Sequence, residues 1–297
     1  MILVKIIFDL LITFILRIIG YISSHLSIPR RNKLGYIIGV FFRLLSPQRK
    51  RIAINNIRKA LPGNTDDWYR TIVKKSYHNL GIIVAEVSAM GSYSENTINN
   101  MIKYNNLDLL IKKYNEGRGL LLLSGHFGNW ELLAYSAGLF TKIPILIVVK
   151  PQKNKSSDKI INKYRIRAGN QVISMHRAAR EIIKNIQDGH AIALLADQSA
   201  TTDKDIFVNF FGMPSTTYKA PAELALKYNV PVICAFPVRK SDFTYEADII
   251  ELKHEDLNDN EEGIYEFTKR YLDLLEEAIR KNPELWVWQH RRWKHSI

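Results

Sequence analysis

Chemistry in this chain concentrates in the stretch 120–138, LLLLSGHFGNWELLAYSAG. Four leucines lead into Ser124, Gly125 and His126, and Asn129 and Glu131 then precede a segment rich in Leu and Ala. A short apolar run ending in small residues reads as a buried strand. Polar and acidic residues ahead of an apolar periodic stretch read as the capped first turn of a helix. His126 is therefore expected at the carboxyl end of a strand, in the crevice where open α/β sheets bind ligands. Glu131 is expected near the start of the helix. A carboxylate one turn away can hold an imidazole in one tautomer and raise its basicity. The pair is a candidate general base with its orienting partner. A His and a Glu five residues apart also arise as ordinary structural residues, so the neighbours matter. Gly125 and Gly128 flank the imidazole, which points to close approach of backbone or ligand there.

The elements that must position this stretch follow from periodicity. Strand-like runs at 120–123, 144–149, 171–174, 191–196, 231–238 and 245–252 alternate with helix-like segments at 132–139, 158–168, 178–187, 218–228 and 262–281. This alternation predicts an α/β fold: a central, largely parallel mixed sheet flanked by helices. Within 178–187, Ala179, Ile182, Ile183 and Ile186 share one face and Gly189 ends the helix. A further helix is expected over 64–90, capped by Asn64 or Thr65. The Asn-rich stretch 92–118 reads as a short helix and loops. With no internal repeat or linker, residues 29–297 are expected to form a single α/β domain.

Residues 1–28 differ from the rest. They are strongly apolar, yet Lys5, Asp9, Thr13 and Arg17 recur every four residues and form one stripe on a helix. A charge at the centre of a span costs about 2.5–3.5 kcal/mol, and the charge-free run is far shorter than the roughly 20 residues of a clean span. The expected structure is a membrane-associating helix lying in the interface, with a tilted span as the alternative. A cleaved signal peptide is disfavoured, because Asp9 and Arg17 break the apolar region and no small-residue cleavage site follows.

The formal charge is +13, and residues 1–60 carry eleven Lys and Arg against the single acid Asp9. A basic region joined to an apolar one points to an anionic membrane surface rather than to nucleic acid. Positive residues flanking the apolar stretch 34–45 favour the cytoplasmic side. The lone cysteine, Cys234, excludes an internal disulfide and lies in the apolar run VPVICAF, where burial raises a thiol pKa and disfavours a nucleophile. His126, His176, His190, His290 and His295 show no metal-ligand spacing. No metal or cofactor is expected.

The motif from His126 to Glu131, HFGNWE, resembles the His-x4-Asp/Glu motif of the lysophospholipid acyltransferase superfamily, in the wording of its lipid A biosynthesis (late, secondary) acyltransferase branch. Lys150-Pro151-Gln152-Lys153-Asn154 with Arg165 and Gly169 is similar to that branch's Arg-Pro…Asn…Arg…Gly block, with Lys150 where Arg is usual. Lys lacks the bidentate fork of Arg. Asp197-Gln198, FVNFFGMP (207–214) and PELWVWQHRRWK (283–294) complete the series, so the resemblance runs from about residue 30 to the C-terminus.

The resemblance implies transfer of a fatty acyl group from an acyl carrier protein thioester to a hydroxyl of a lipid A precursor, at the cytoplasmic face of a bacterial inner membrane. His126 would take the hydroxyl proton and Glu131 would orient it. Gly128, Asn129, Lys150, Arg165, Asp197, Gln198 and Arg292 are the expected substrate-binding residues. Asp197 and Gln198 follow an apolar run and either position substrate or support the loop beneath His126. Arg291 is a further phosphate-binding candidate. Phe207, Phe210, Phe211 and Met213 either line an acyl groove or pack in the core. Ser124, two residues before His126, is a weaker nucleophile candidate. The competing readings are a different lipid acceptor (a lysophospholipid, an aminolipid or a glycolipid) and a non-catalytic, membrane-docked binding protein.

Overall fold

A computed structural model describes residues 2–152, 154–175, 178–201 and 205–295. Lys153 of the basic block and His176 lie outside the described residues. The chain opens with four helices, α1 (Ile2–Ser24), α2 (Ile28–Leu45), α3 (Pro47–Ala60) and α4 (Asp66–Ala89). There follow α5 (Glu95–Met101), β1 (Ile102–Asn105), α6 (Leu107–Tyr114), β2 (Leu120–Ser124), α7 (Trp130–Thr141), β3 (Ile145–Val149), α8 (Lys155–Arg165) and β4 (Gln171–Ser174). The remainder is α9 (Ala178–Gln187), β5 (Ala191–Leu195), β6 (Ile206–Phe210), β7 (Met213–Thr217), α10 (Ala220–Tyr228), β8 (Val232–Cys234), β9 (Val238–Arg239), β10 (Tyr245–Asp248), β11 (Ile250–Glu251) and α11 (Glu261–Lys281).

The main sheet has the order β11-β8-β2-β5-β3-β4. Its neighbours run parallel except β11, which pairs antiparallel with β8 at the edge. This is the expected largely parallel mixed sheet. Helices cover both faces, so its strands are apolar throughout rather than alternating. Leu121 and Leu123 face one core and Leu120 the other.

Four details depart from the sequence reading. The stretch 92–118, read as a short helix and loops, holds two helices, α5 and α6, and the strand β1. The run 231–238 is broken into β8 and β9, with Pro237 between them, because proline has no N–H for a ladder. The run 245–252 divides between two sheets: β10 pairs with β1 and β9, whereas β11 pairs with β8. The FVNFFGMP block is a hairpin, β6 and β7, turned by Phe211 and Gly212 at φ +55° and +73°. Two left-handed residues match the twist of a two-residue hairpin.

The helix expected at the N-terminus forms, and part of its polar stripe turns inward, with Asp9 half-buried and Arg17 exposed. Thr13 is buried, its hydroxyl donating to Asp9 O at 2.8 Å. Asp9 Oδ1 accepts from Asn154 Nδ2 at 3.0 Å, which ties α1 to the start of α8. The apolar Leu10, Leu11, Phe14, Ile18 and Tyr21 face outward, and Phe41, Leu44 and Leu45 of α2 are exposed as well. Among the described residues no helix is long and apolar enough to cross a membrane. Helices α2 and α4 approach very closely at Gly81, where an added Cβ would meet Gly35 O at 2.1 Å.

Candidate active site

His126 leaves β2 at its carboxyl end, as expected. Strand register decides what stands beside it. β2 and β5 are parallel neighbours with Ser124 opposite Leu195. Two residues further along each strand, His126 and Asp197 come level. His126 Nδ1 lies 2.7 Å from Asp197 Oδ1, and the His126 backbone N–H donates to Asp197 Oδ2 at 2.9 Å. Trp286 Nε1 donates to the same Oδ2 at 2.9 Å. An ionised carboxylate accepts only, so Nδ1 carries the proton toward Asp197 and Nε2 is left as the basic nitrogen.

The electrostatics follow from this geometry. Burial alone would push the Asp197 carboxyl up. The neighbouring imidazole, with the hydrogen bonds from His126 and Trp286, outweighs burial and holds it at about 2. Burial alone would pull the His126 imidazole down, but the Asp197 charge and hydrogen bond, helped by the Glu131 charge, leave it raised. Gln198 Nε2 lies 3.2 Å from His126 Nε2 and 3.4 Å from Nδ1. Near-equal distances to both nitrogens put the amide over the ring face, outside the ring plane in which the Nε2 lone pair lies.

The loop carrying His126 is clamped from the C-terminus. Gly128 N–H donates to Leu285 O at 2.9 Å, and Val287 N–H donates to His126 O at 3.1 Å. Trp286 and Trp288 are fully enclosed in the core beside it.

Against this geometry several expected roles change. Glu131 does not hold the imidazole. It pairs with Arg165, Arg165 Nε to Oε2 at 2.8 Å and Nη2 to Oε1 at 2.5 Å, and Arg165 also donates to Asn162 Oδ1 at 2.7 Å. Position 131 lies on the first turn of α7, facing α8, while β5 supplies the nearer carboxylate. Asp197, not Glu131, stands against the imidazole, and its buried oxygens accept three hydrogen bonds.

Gly128 is a packing position: at φ +54° its Cβ would fall 1.8 Å from Pro237 O. Asn129 is wholly buried and caps α7, its Oδ1 accepting from Leu132 N at 3.0 Å and its Nδ2 donating to Glu86 Oε2 at 2.8 Å. Arg292 is also wholly buried and holds β7, with Nη1 to Thr216 O at 2.5 Å and Nη2 to Thr217 Oγ1 at 2.7 Å. Burial pulls its guanidinium down to about 10. Neither is available to a substrate.

Lys150, Arg165, Gln198, Glu131 and His126 do converge, on the wall of a cavity of about 990 Å³. Its depth is apolar: Leu122, Ile147 and Ala193 from the sheet, Ala134 and Ala137 from α7, and Tyr104 from β1. Phe210 and Phe211 pack on Trp286, Trp288 and Trp293 in the core and do not line it. The Ser124 hydroxyl donates to Ala235 O at 2.6 Å. Cys234 is buried, which pushes its thiol up. His290 accepts from Ser199 N at 3.1 Å, and burial lowers it to about 4.

The bacterial lipid A biosynthesis acyltransferase pattern matches residues 5–295. The chain belongs to the bacterial lipid A biosynthesis acyltransferase family. It is 26% identical over 275 residues to a lipid A biosynthesis acyltransferase of Haemophilus influenzae, covering 91% of this chain and 86% of that protein. It is 22% identical over 264 residues to the lipid A biosynthesis palmitoleoyltransferase of Escherichia coli, covering 88% and 84%. It is 21% identical over 277 residues to the lipid A biosynthesis lauroyltransferase of the same organism, covering 92% and 88%.

In this acyltransferase the contacts the sequence did not show are those of Asp197 with the His126 ring, of Trp286 with the same carboxylate, and of Glu86 with Asn129. The signal for Asp197 was its place after an apolar run. What the sequence lacked was the order of strands, which alone makes residues 126 and 197 neighbours.

Proposed function

We propose that this protein moves a fatty acyl group from an acyl carrier protein thioester to a hydroxyl of a lipid A precursor, with His126 as general base. The observation that carries the reading is the imidazole at the cavity wall, its Nδ1 held by a buried carboxylate and its Nε2 free to meet a hydroxyl. Nε2 removes the proton of the acceptor hydroxyl as its oxygen attacks the thioester carbonyl. The tetrahedral intermediate collapses, the C–S bond breaks, and the imidazolium returns the proton to the leaving sulfur. The products are an ester and a free thiol, with no acyl-enzyme. The charge that Asp197 directs at the ring stabilises the imidazolium formed in the transition state.

The apolar depth of the cavity suits the acyl chain. Arg165 and Lys150 at its wall suit a phosphate-bearing acceptor. The outward apolar residues of α1 and α2, beside basic residues such as Arg30 and Arg43, suit a helix pair lying in the cytoplasmic leaflet of the inner membrane. The family and the named activities of the relatives support lipid A as the acceptor.

The test is mass spectrometry of lipids from cells lacking the protein, with the native chain or a His126→Ala chain restored. The expected result is lipid A that lacks one acyl chain, recovered only with the native chain. A lipid A profile unchanged by the deletion overturns the acceptor, and recovery with His126→Ala overturns the base.

A further inference from the structure

Away from the cavity, α3 and the C-terminal segment enclose a second concavity of about 520 Å³, lined by Arg58, Lys59, Arg291 and Lys294 with Asn55 and Trp293. Its chemistry is legible in α3, which carries five Lys and Arg and no acid. Ala53, Asn56, Ile57 and Ala60 turn inward, so helical spacing leaves Arg51, Asn55, Arg58 and Lys59 outward on one face. Arg58 has an exposed partner in Asp66 at 2.7 Å. Among the described residues Lys59, Arg291 and Lys294 form no ion pair. The Trp293 indole N–H is buried at the same place and has no acceptor.

This concavity is tied to the catalytic loop by a few residues of chain. Asn56 Nδ2 donates to Trp288 O at 2.8 Å and to His290 O at 2.7 Å, fixing the C-terminal segment on α3. The same segment holds the site from its other side, through Trp286 to Asp197 and Val287 to His126. The surface also differs from that of α1 and α2. The exposed large apolar side chains cluster on those two helices, and among the described residues neither α3 nor the C-terminal segment exposes one. A cationic groove that exposes no large apolar side chain fits a water-soluble anionic surface better than a bilayer.

We propose that this groove docks the acidic face of the carrier protein that delivers the acyl thioester, its carboxylates meeting Lys59, Arg291 and Lys294. The proposal rests on the reading of the protein as a carrier-thioester-dependent acyltransferase. Docking here sets the donor beside the segment that positions His126 and Asp197.

The experiment compares the full-length native protein with a Lys59→Glu/Lys294→Glu variant, using one acceptor and two donors: acyl carrier protein thioester and acyl-pantetheine, which lacks the protein. Expected are a KM for the carrier donor raised about tenfold or more at low salt, a salt-dependent native KM, and acyl-pantetheine rates equal in both proteins. An unchanged KM for the carrier donor overturns the docking site, and so does an equal loss with both donors. Weakened binding of the variant to anionic vesicles, with its carrier KM unchanged, reassigns the groove to lipid. Native protein that transfers from acyl-pantetheine but not from the carrier overturns the donor itself. Native protein that transfers from neither donor overturns the functional reading rather than the groove.

Discussion

Two carboxylates stand near the His126 imidazole, and the regions that supply them use them differently. On the strand side, Asp197 is 2% exposed and is committed to His126 and Trp286. On the helix side, Glu131 is committed to Arg165, with side chains 15% and 12% exposed. The strand-side carboxylate meets the imidazole directly, so it fixes the tautomer. The helix-side carboxylate reaches the ring only through its charge, and Arg165 opposes that charge. Proximity in sequence thus named the wrong carboxylate for orientation, while adjacency of β2 and β5 named the right one.

Asp197→Asn should have the largest effect. The amide keeps the shape but removes the charge and can present a donor to Nδ1, favouring the wrong tautomer. Turnover should fall by about 10²–10⁴-fold, read as kcat with purified protein. Glu131→Gln should cost about tenfold, the scale of one favourable interaction of about 1.4 kcal/mol with the imidazolium. If Glu131→Gln costs as much as Asp197→Asn, the division of labour between the two sides is wrong.

The pH profile separates the sides by sign. A raised imidazole must lose its proton before it can act as a base, so the rate should rise with pH through a midpoint above 6.5, the ordinary value for histidine. Asp197→Asn removes the largest favourable influence on the imidazolium and should move the midpoint down. Glu131→Gln should move it down by less. Arg165→Gln removes a repelling cation and should move it up. A midpoint that moves the same way in all three variants would show that it does not belong to His126. Stability carries the Asp197 sign: its contribution is present above the ordinary carboxyl value of 3.8 and is lost as pH falls toward about 2.

The sequence showed the frame of this arrangement more fully than its partners. Strand 120–123, the helix after it and the segment 178–187 were visible because their apolar periodicities are strong and local. His126 at a strand end followed from that frame alone. The hairpin of β6 and β7 was hidden because its Phe-Gly turn carries one left-handed residue that is not glycine. The inward roles of Asn129 and Arg292 were hidden for a different reason. Polar residues in a basic, aromatic-rich context look like ligand-binding groups until tertiary contacts bury them. The inward turn of part of the α1 stripe was half legible: the stripe through Asp9 and Thr13 was evident, but only the contact with Asn154 shows that it packs against protein.

The smallest expected effect on turnover tests that last distinction. Asn129→Ala removes the side-chain cap of α7, a loss of about 1 kcal/mol in stability. It also leaves the buried Glu86 carboxylate with the Tyr245 hydroxyl, at 2.8 Å, as its remaining side-chain hydrogen-bond donor. Burial already pushes Glu86 up, so losing a donor should raise it further and add to the destabilisation. The expected readout is a lower urea midpoint with kcat and the pH midpoint close to native, because Asn129 does not line the cavity and its side chain bonds Glu86 and Leu132. A fall in kcat matching that of Glu131→Gln, with stability unchanged, would instead put Asn129 on the substrate and return it to the role its position in the HFGNWE motif first implied.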